Sequence, residues 1–367
     1  MNKHQLMEQQ IEKAMHTFLK EDGHANILVV GATGAGKSAL VNKIFNVDFS
    51  EVGVGKPVTQ QTTRYTIDEM PISLFDTKGY EIASDEHERF LREMHQYMTD
   101  RHQKIEDQIH MIWYCISAPN SRITDMDLAM IHEFKNTGKP IAVVFTKADA
   151  STLDDLQQME QILDAVQIPH FYVSTMMDAQ QNFQMNALID WTFEQIEPSV
   201  KYAFLRAQHF NIDLIKKEVN KAIRQHASAS FAVGFTPIPF ADGPILLANQ
   251  GTMIRRIMKQ YDLENDFESI QMMVGALGAG TLISNLGRYL VGQLAKFIPG
   301  AGSVINGSVA TAITVSLGFT VSEISYRIAK QKLQGKDVST FIKELTSQDE
   351  VKEIFNDFLK KEMKSKK

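Results

Sequence analysis

The sequence predicts a doubly wound α/β domain over roughly the first 200 residues, followed by an all-α domain. Three observations carry this reading. Short apolar runs alternate with stretches of helical periodicity. A glycine-rich octet at 31–38 stands between the first apolar run and the first helical stretch. Beyond Pro198 the strand signals stop.

Taken in order, residues 4–20 place Leu6, Ile11, Met15, Phe18 and Leu19 at helical spacing, which predicts an amphipathic helix ahead of the first domain. The run 27–30 reads as a strand and 38–45 as the helix after it. Strands follow at 65–67 and 72–75, then a helix at 85–103. Residues 111–116 are continuously apolar, as in a strand covered on both faces. Helix, strand, helix, strand and helix follow at 124–137, 141–145, 153–166, 171–173 and 180–196. That alternation implies a mostly parallel sheet wrapped by helices. After Pro198, helices are expected at 200–228 and 245–262, around a loop with Pro237, Pro239, Asp242 and Gly243. Two longer apolar helices at 264–298 and 303–331 precede two short charged ones at 337–346 and 348–362. The implied division is 1–22, 23–197, 198–335 and 336–367: a leading helix, the α/β domain, a hydrophobic Gly-rich helical domain, and charged helices with a basic tail.

Composition is ordinary for a globular chain, with 44% hydrophobic and 22% charged residues. A net charge of -6 gives no field that favours nucleic acid as a partner. The lone Cys115, flanked by Trp113, Tyr114 and Ile116, reads as part of a buried strand in a reducing compartment. The first residues carry His4, Glu8 and Glu12 and lack the apolar stretch of a signal peptide, so a cytoplasmic location is expected. The histidines at 86, 95, 102 and 110 have no partners at ligand spacing, so no histidine metal site is expected. The eighteen methionines read as adaptable core.

The octet Gly31, Ala32, Thr33, Gly34, Ala35, Gly36, Lys37 and Ser38 has the Gly-x-x-x-x-Gly-Lys-Ser form, in the strand-to-helix context that form requires. Glycines let successive backbone N–H groups turn toward one phosphate, and the helix N-terminus adds favourable partial charge. Lys37 can reach β- and γ-phosphates, and the Ser38 hydroxyl is a hard ligand suited to Mg²⁺. Thr146, Lys147, Ala148 and Asp149 follow the strand at 141–145. A carboxylate there can accept from both N1–H and the exocyclic amine of guanine, which adenine cannot offer, so the expected ligand is GTP. Lys147 can lay its stem along the base. Between these motifs lie Asp76, Thr77, Lys78 and Gly79. Asp76 is placed to hold Mg²⁺ through a water, and the Gly79 N–H to meet the γ-phosphate. Ser174, after the last strand, is expected near the guanine O6.

These motifs together resemble the P-loop GTPases of translation-factor type, in particular bacterial Era-like and immunity-related-GTPase-like members, over the first 200 residues. The resemblance implies a threonine in the first switch segment that closes on Mg²⁺ and the γ-phosphate. Residues 53–59 fit the form in which Thr59 has that role, and Thr62, Thr63 and Arg64 fit the alternative form. Catalytic roles are thereby expected of Lys37, Thr59 and Gly79, and metal-binding roles of Ser38, Thr59 and Asp76. Two departures stand out. Tyr80 occupies the place of the water-orienting glutamine of Ras-like members, and Gly34 that of the asparagine with which some Era-like members hold potassium. The expectation is therefore slow intrinsic turnover, raised by a homodimer formed through this domain or by a partner that supplies positive charge, with Arg122 and Lys78 as candidate donors.

Residues 235–242, with Leu247, Gln250, Met253 and Ile254, resemble a bacterial domain of unknown function (number 697), which brings no chemistry. Residues 269–287 and 297–321 carry no charge. Runs of that length admit a membrane span, a hairpin docking at the inner face of the cell membrane, or a buried hairpin in a helical bundle. The expected function is a GTP-hydrolysing switch or mechanoenzyme coupled to a helical domain. The alternatives are a membrane interaction protein holding GTP with negligible turnover, and an ATPase, which Asp149 argues against.

Overall fold

Strand β1 (Ala25–Val30) is buried at every position, because it lies inside a sheet that has helices on both faces. The computed structural model describes residues 23–48, 56–57, 62–66, 71–77, 84–100, 104–176, 183–232, 253–263 and 307–364. Beside β1 stand β2 (Lys56–Pro57), β3 (Thr62–Thr66), β4 (Ile72–Thr77), β5 (Met111–Ser117), β6 (Ile141–Thr146) and β7 (His170–Tyr172), in the order β2-β3-β4-β1-β5-β6-β7. The pairs β1–β4, β1–β5, β5–β6 and β6–β7 are parallel, whereas β2–β3 and β3–β4 are antiparallel. The chain leaves β1 toward β4 and returns on the other side at β5. This reversal opens a crevice at the carboxyl ends of the strands, where open α/β sheets bind ligands.

Side chains alternate across the sheet with period two. Leu28, Val30, Phe75, Ile112, Tyr114 and Phe145 face α2 (Ser84–Thr99), α3 (Asp125–Asn136) and α4 (Leu153–Ala165), where they meet Phe90, Met94, Met130, Phe134, Met159 and Leu163. On the other face Trp113 stacks on Phe45 of α1 (Lys37–Phe45), ring centroids 6.0 Å apart. Trp113 also donates through Nε1 to Thr192 of α5 (Met185–Gln195) at 3.1 Å. Cys115 is buried as the sequence implied, and so are Met94, Met98, Met111, Met130 and Met159, whereas Met176 is exposed.

Pro198 does not end this body. The compact unit runs from Glu21 to Asn211 and includes α6 (Lys201–Ala207), whose Phe204 is fully buried edge-on to Phe45. The single helix expected over 200–228 is broken after α6. The buried Gln208 side chain accepts from Asn211 N–H at 2.8 Å and donates to the Asn211 carbonyl at 3.1 Å, closing a turn. Two further differences are the two-residue β2, absent from the strand pattern read in the sequence, and β3, which starts at Thr62 rather than at 65.

At the amino ends of the strands lies a buried polar cluster. His110 Nδ1 accepts from Asn26 N–H at 3.0 Å, Asn26 Nδ2 donates to the Gln108 carbonyl at 2.7 Å, and His24 Nε2 meets Ser73 Oγ at 2.7 Å. Burial pushes the His110 imidazole down to about 4, with Glu197 opposing the shift and Lys139 reinforcing it. The unfolded chain takes up this proton near pH 6.5 and the folded one only near 4, so stability is complete above 6.5 and falls as pH drops through that window. The loss amounts to about 3 kcal/mol between pH 6.5 and 4. His110→Asn is expected to flatten the dependence of the urea midpoint on pH over that range. An unchanged slope would assign the effect elsewhere.

The second unit, Met1–Lys20 with Ile212–Lys367, consists in its described residues of helices joined by turns. It comprises α7 (Ile212–Ala232), a helical run at 253–260, α8 (Gly307–Leu333), α9 (Ser339–Leu345) and α10 (Gln348–Lys364). Gly318 lets α8 approach α7 closely, since a Cβ there would lie 2.8 Å from Ile223 Cγ2. Arg224 holds Glu362 through both carboxylate oxygens, at 2.9 and 3.3 Å. Among the described residues no helix is long and apolar enough to cross a membrane. The expected leading helix at 4–20, the loop at 235–243 and the helix at 264–298 lie outside the described residues.

Candidate functional site

The crevice is built by the loop between β1 and α1. Gly31 (φ 152°) passes so close to β5 that a Cβ would stand 2.3 Å from the Cys115 carbonyl oxygen. No other residue fits there. Gly34 and Gly36 have φ of 77° and 78°, and Gly36 forms the N-cap of α1. No side chain caps this helix and no acidic residue occupies its first turn. Its leading N–H groups therefore face the crevice, where an anion is their natural partner.

Lys37 is half-buried and donates through Nζ to the carbonyls of Gly31 at 2.8 Å and Ala32 at 3.3 Å. The ammonium thus lies within the loop's own curve. Ser38 is exposed at the start of the helix. The exposed residues Thr33 and Gly34 form the outer rim, while Ala35 turns inward and is buried.

Thr146, the last residue of β6, braces the loop from behind. Its buried Oγ1 donates to the Ala35 carbonyl at 2.7 Å, and a Cβ on Gly36 would meet that hydroxyl at 2.9 Å. Lys147 takes a left-handed backbone, φ 54°, and donates through Nζ to the Gly34 carbonyl at 2.8 Å. Asp149 is exposed in the 3-10 turn Ala148–Ala150. The Ala148 N–H donates to the Val173 carbonyl at 3.1 Å, which ties this turn to the chain leading into the buried Ser174. Ser174 Oγ accepts from Met176 N–H at 3.3 Å. Residues 31–38, 146–149 and 173–174 are thus one hydrogen-bonded assembly.

Asp76 stands near the end of β4, paired with Val29 of β1 and Thr63 of β3, which brings it to the same end of the sheet. Thr59 and Gly79 lie outside the described residues, as do Lys78 and Tyr80. Thr63 is itself a ladder residue of β3. Among the described residues no group of three or more His, Cys, Asp or Glu is placed to hold a metal. Sequence reading missed the Thr146 brace and the Lys147 bond to the loop. No local signal marks either, since the partners stand 111 and 113 residues apart in the chain.

The family described as "50S ribosome-binding GTPase" matches residues 26–147, which span this loop, Asp76 and the turn at Thr146. The chain carries a P-loop GTPase domain. Human septin-9 is 25% identical to it over 188 residues, covering 44% of this chain and 31% of the septin. Rat neuronal-specific septin-3 is 27% identical over 178 residues, covering 41% of this chain and 49% of that protein. Cell division control protein 10 of Saccharomyces cerevisiae is 25% identical over 174 residues, or 40% and 54% of the two chains. The chain thus spans from a third to a half of the length of these relatives. A crystal structure of a probable GTP-binding protein engB superposes with a TM-score of 0.35 at 14% identity, covering 46% of this chain and 97% of that one. The loop, Asp76, the brace residue Thr146 and Lys147 lie within the matched segment, whereas the turn bearing Asp149 and the buried Ser174 lie beyond it.

Proposed function

We propose that this protein binds GTP with Mg²⁺ and hydrolyses it slowly to GDP and phosphate, as a switch whose helical second unit responds to the nucleotide. One observation carries the reading: the loop that would grip the triphosphate and the turn bearing Asp149 are bonded into one piece through Thr146 and Lys147. A nucleotide bridging them binds at both ends to a preorganised frame, which lowers the ordering cost of binding. Lys37 and the α1 N-terminus neutralise phosphate charge, Ser38, Asp76 and Thr59 hold Mg²⁺, and the Gly79 N–H meets the γ-phosphate. Mg²⁺ supplies charge stabilisation at the transferring phosphoryl group. Asp149 reads the guanine edge, and the 173–174 backbone lies beside it. Because Thr63 pairs within β3, Thr59, which precedes that strand in the chain, is the better candidate for closing on the metal.

The finer kinship is with Era-like GTPases, joined to a helical domain of the 697 type. Turnover depends on a second copy meeting the crevice, with Arg122, exposed beyond the end of β5, as the donated charge. The test is GTP turnover by the full chain across a protein concentration series, with and without anionic vesicles. Turnover per molecule that rises with concentration supports self-association, and a rise only with vesicles supports the membrane as partner. Tight GTP binding with no turnover under any condition would favour the alternative, GTP as a constitutive structural ligand.

A further inference from the structure

Helix α1 carries the glycine-rich loop at its N-terminus, and its other end is finished by residues far along the chain. An α-helix leaves its last four carbonyls without partners of its own. One of these in α1, that of Ile44, accepts from the His209 N–H at 2.9 Å. Beside it Lys43 sets its ammonium 5.9 Å from the centroid of the Phe210 ring. The turn that supplies both contacts is itself fixed. Gln208 closes it on Asn211 with two bonds, and Asn211 Nδ2 donates to Asp190 Oδ1 of α5 at 3.1 Å. Gln208 and Asn211 are both buried. Asn211 leads directly into Ile212, the first residue of α7.

We propose that the turn at 208–211 is a nucleotide-sensitive clasp on the last turn of α1, with His209 and Phe210 as its positioning residues. This clasp deepens the nucleotide reading above and rests on it. A phosphate at the N-terminus of α1 and an N–H donor at its C-terminus both favour the same alignment of peptide dipoles. Between them run the hydrogen bonds of the helix, which polarise one another. Helix α1 has nine residues, so its ends lie only about 14 Å apart. Phe45, its last residue, is fully buried against the rings of Trp113 and Phe204. Packing of that density transmits a pull on one end of the helix instead of absorbing it. A bound phosphate therefore makes the Ile44 carbonyl a better acceptor for His209. The bonded turn favours the phosphate in return, because a coupling free energy has the same size in both directions. Occupancy of the crevice is thereby reported to the backbone that enters α7.

The test follows amide exchange in the full-length protein with and without GDP and Mg²⁺. Ile196 is the reference, because its N–H caps α5 on the Thr192 carbonyl. That helix lies on the same face of the sheet as α1, since Trp113 touches both. GDP is expected to slow exchange at His209 by about three- to tenfold more than at Ile196, the range of one hydrogen bond. Equal slowing at the two amides is stabilisation of the whole unit by its ligand, and it overturns the clasp. Phe210→Leu, which changes no charge, probes the reverse direction. It is expected to lower GDP affinity by about two- to fivefold, the range of an exposed cation–π contact, and to shrink the His209 effect with it. A purely structural role would lower the melting temperature and leave both quantities at their wild-type values, which refutes the clasp. Should Phe210→Leu not fold, the wild-type comparison of the two amides decides alone. Calorimetry on the same samples separates the two failures. Protein that takes up no GDP removes the nucleotide reading and the clasp together, whereas GDP uptake with equal slowing removes the clasp alone.

Discussion

Lys37→Ala is expected to lower single-turnover GTP hydrolysis by about 100- to 1,000-fold, the effect of removing one preorganised charge partner from a developing oxyanion. In the structure the ammonium is folded against the carbonyls of Gly31 and Ala32. Without it those oxygens line the cradle uncompensated, and they repel the phosphate that the backbone N–H groups attract. The two bonds lost contribute only about 1 kcal/mol each to stability, so the apo variant should melt within a few degrees of wild type. That contrast makes the experiment decisive. Turnover within threefold of wild type would show that Lys37 plays no part in phosphate transfer, and a large fall in melting temperature would trace the loss to folding.

Asp149→Ala is expected to weaken GTP binding by about 100- to 1,000-fold while leaving ATP binding nearly unchanged. Two hydrogen bonds from guanine to a carboxylate are at stake, each worth about 1.5–3 kcal/mol. Asp149 is exposed in a short turn whose position is fixed by the Ala148–Val173 bond, so its own side chain is dispensable for the fold. Inosine triphosphate, which lacks the exocyclic amine, separates the two bonds. Wild type should prefer GTP over it, and the variant should not discriminate. Equal affinity of wild type for GTP and ATP would sink the assignment of the base-reading role.

The frame of this site was legible because its signals are local. The octet at 31–38 declares its own geometry, and continuous apolar runs such as 111–116 and 141–145 read as strands covered on both faces. What stayed hidden depends on distance in sequence. The Thr146 hydroxyl supports Ala35 from more than a hundred residues away, and a threonine at a strand end carries no mark of that task. Strand β2 has two residues, lysine and proline, too few to show alternation. Nothing in the sequence marks Asn26, Ser73 and His110 as neighbours, yet all three are buried in one polar cluster. The break at Gln208 was missed because the side chain that closes the turn, glutamine, is also a good helix former.

Among the described residues, each rim of the sheet carries a feature that discourages a further strand. At one rim Pro57 offers no N–H. At the other, the outward N–H of Tyr172 is taken by Gln184 Oε1 at 2.9 Å, and its carbonyl by the Gln184 N–H at 2.8 Å. These features disfavour a polymer of this chain that continues one sheet into the next, the route that unprotected rims invite. An ordered assembly is then expected to be stitched by side chains across loop or helix surfaces, contacts that can be remodelled without unzipping the backbone ladder beneath.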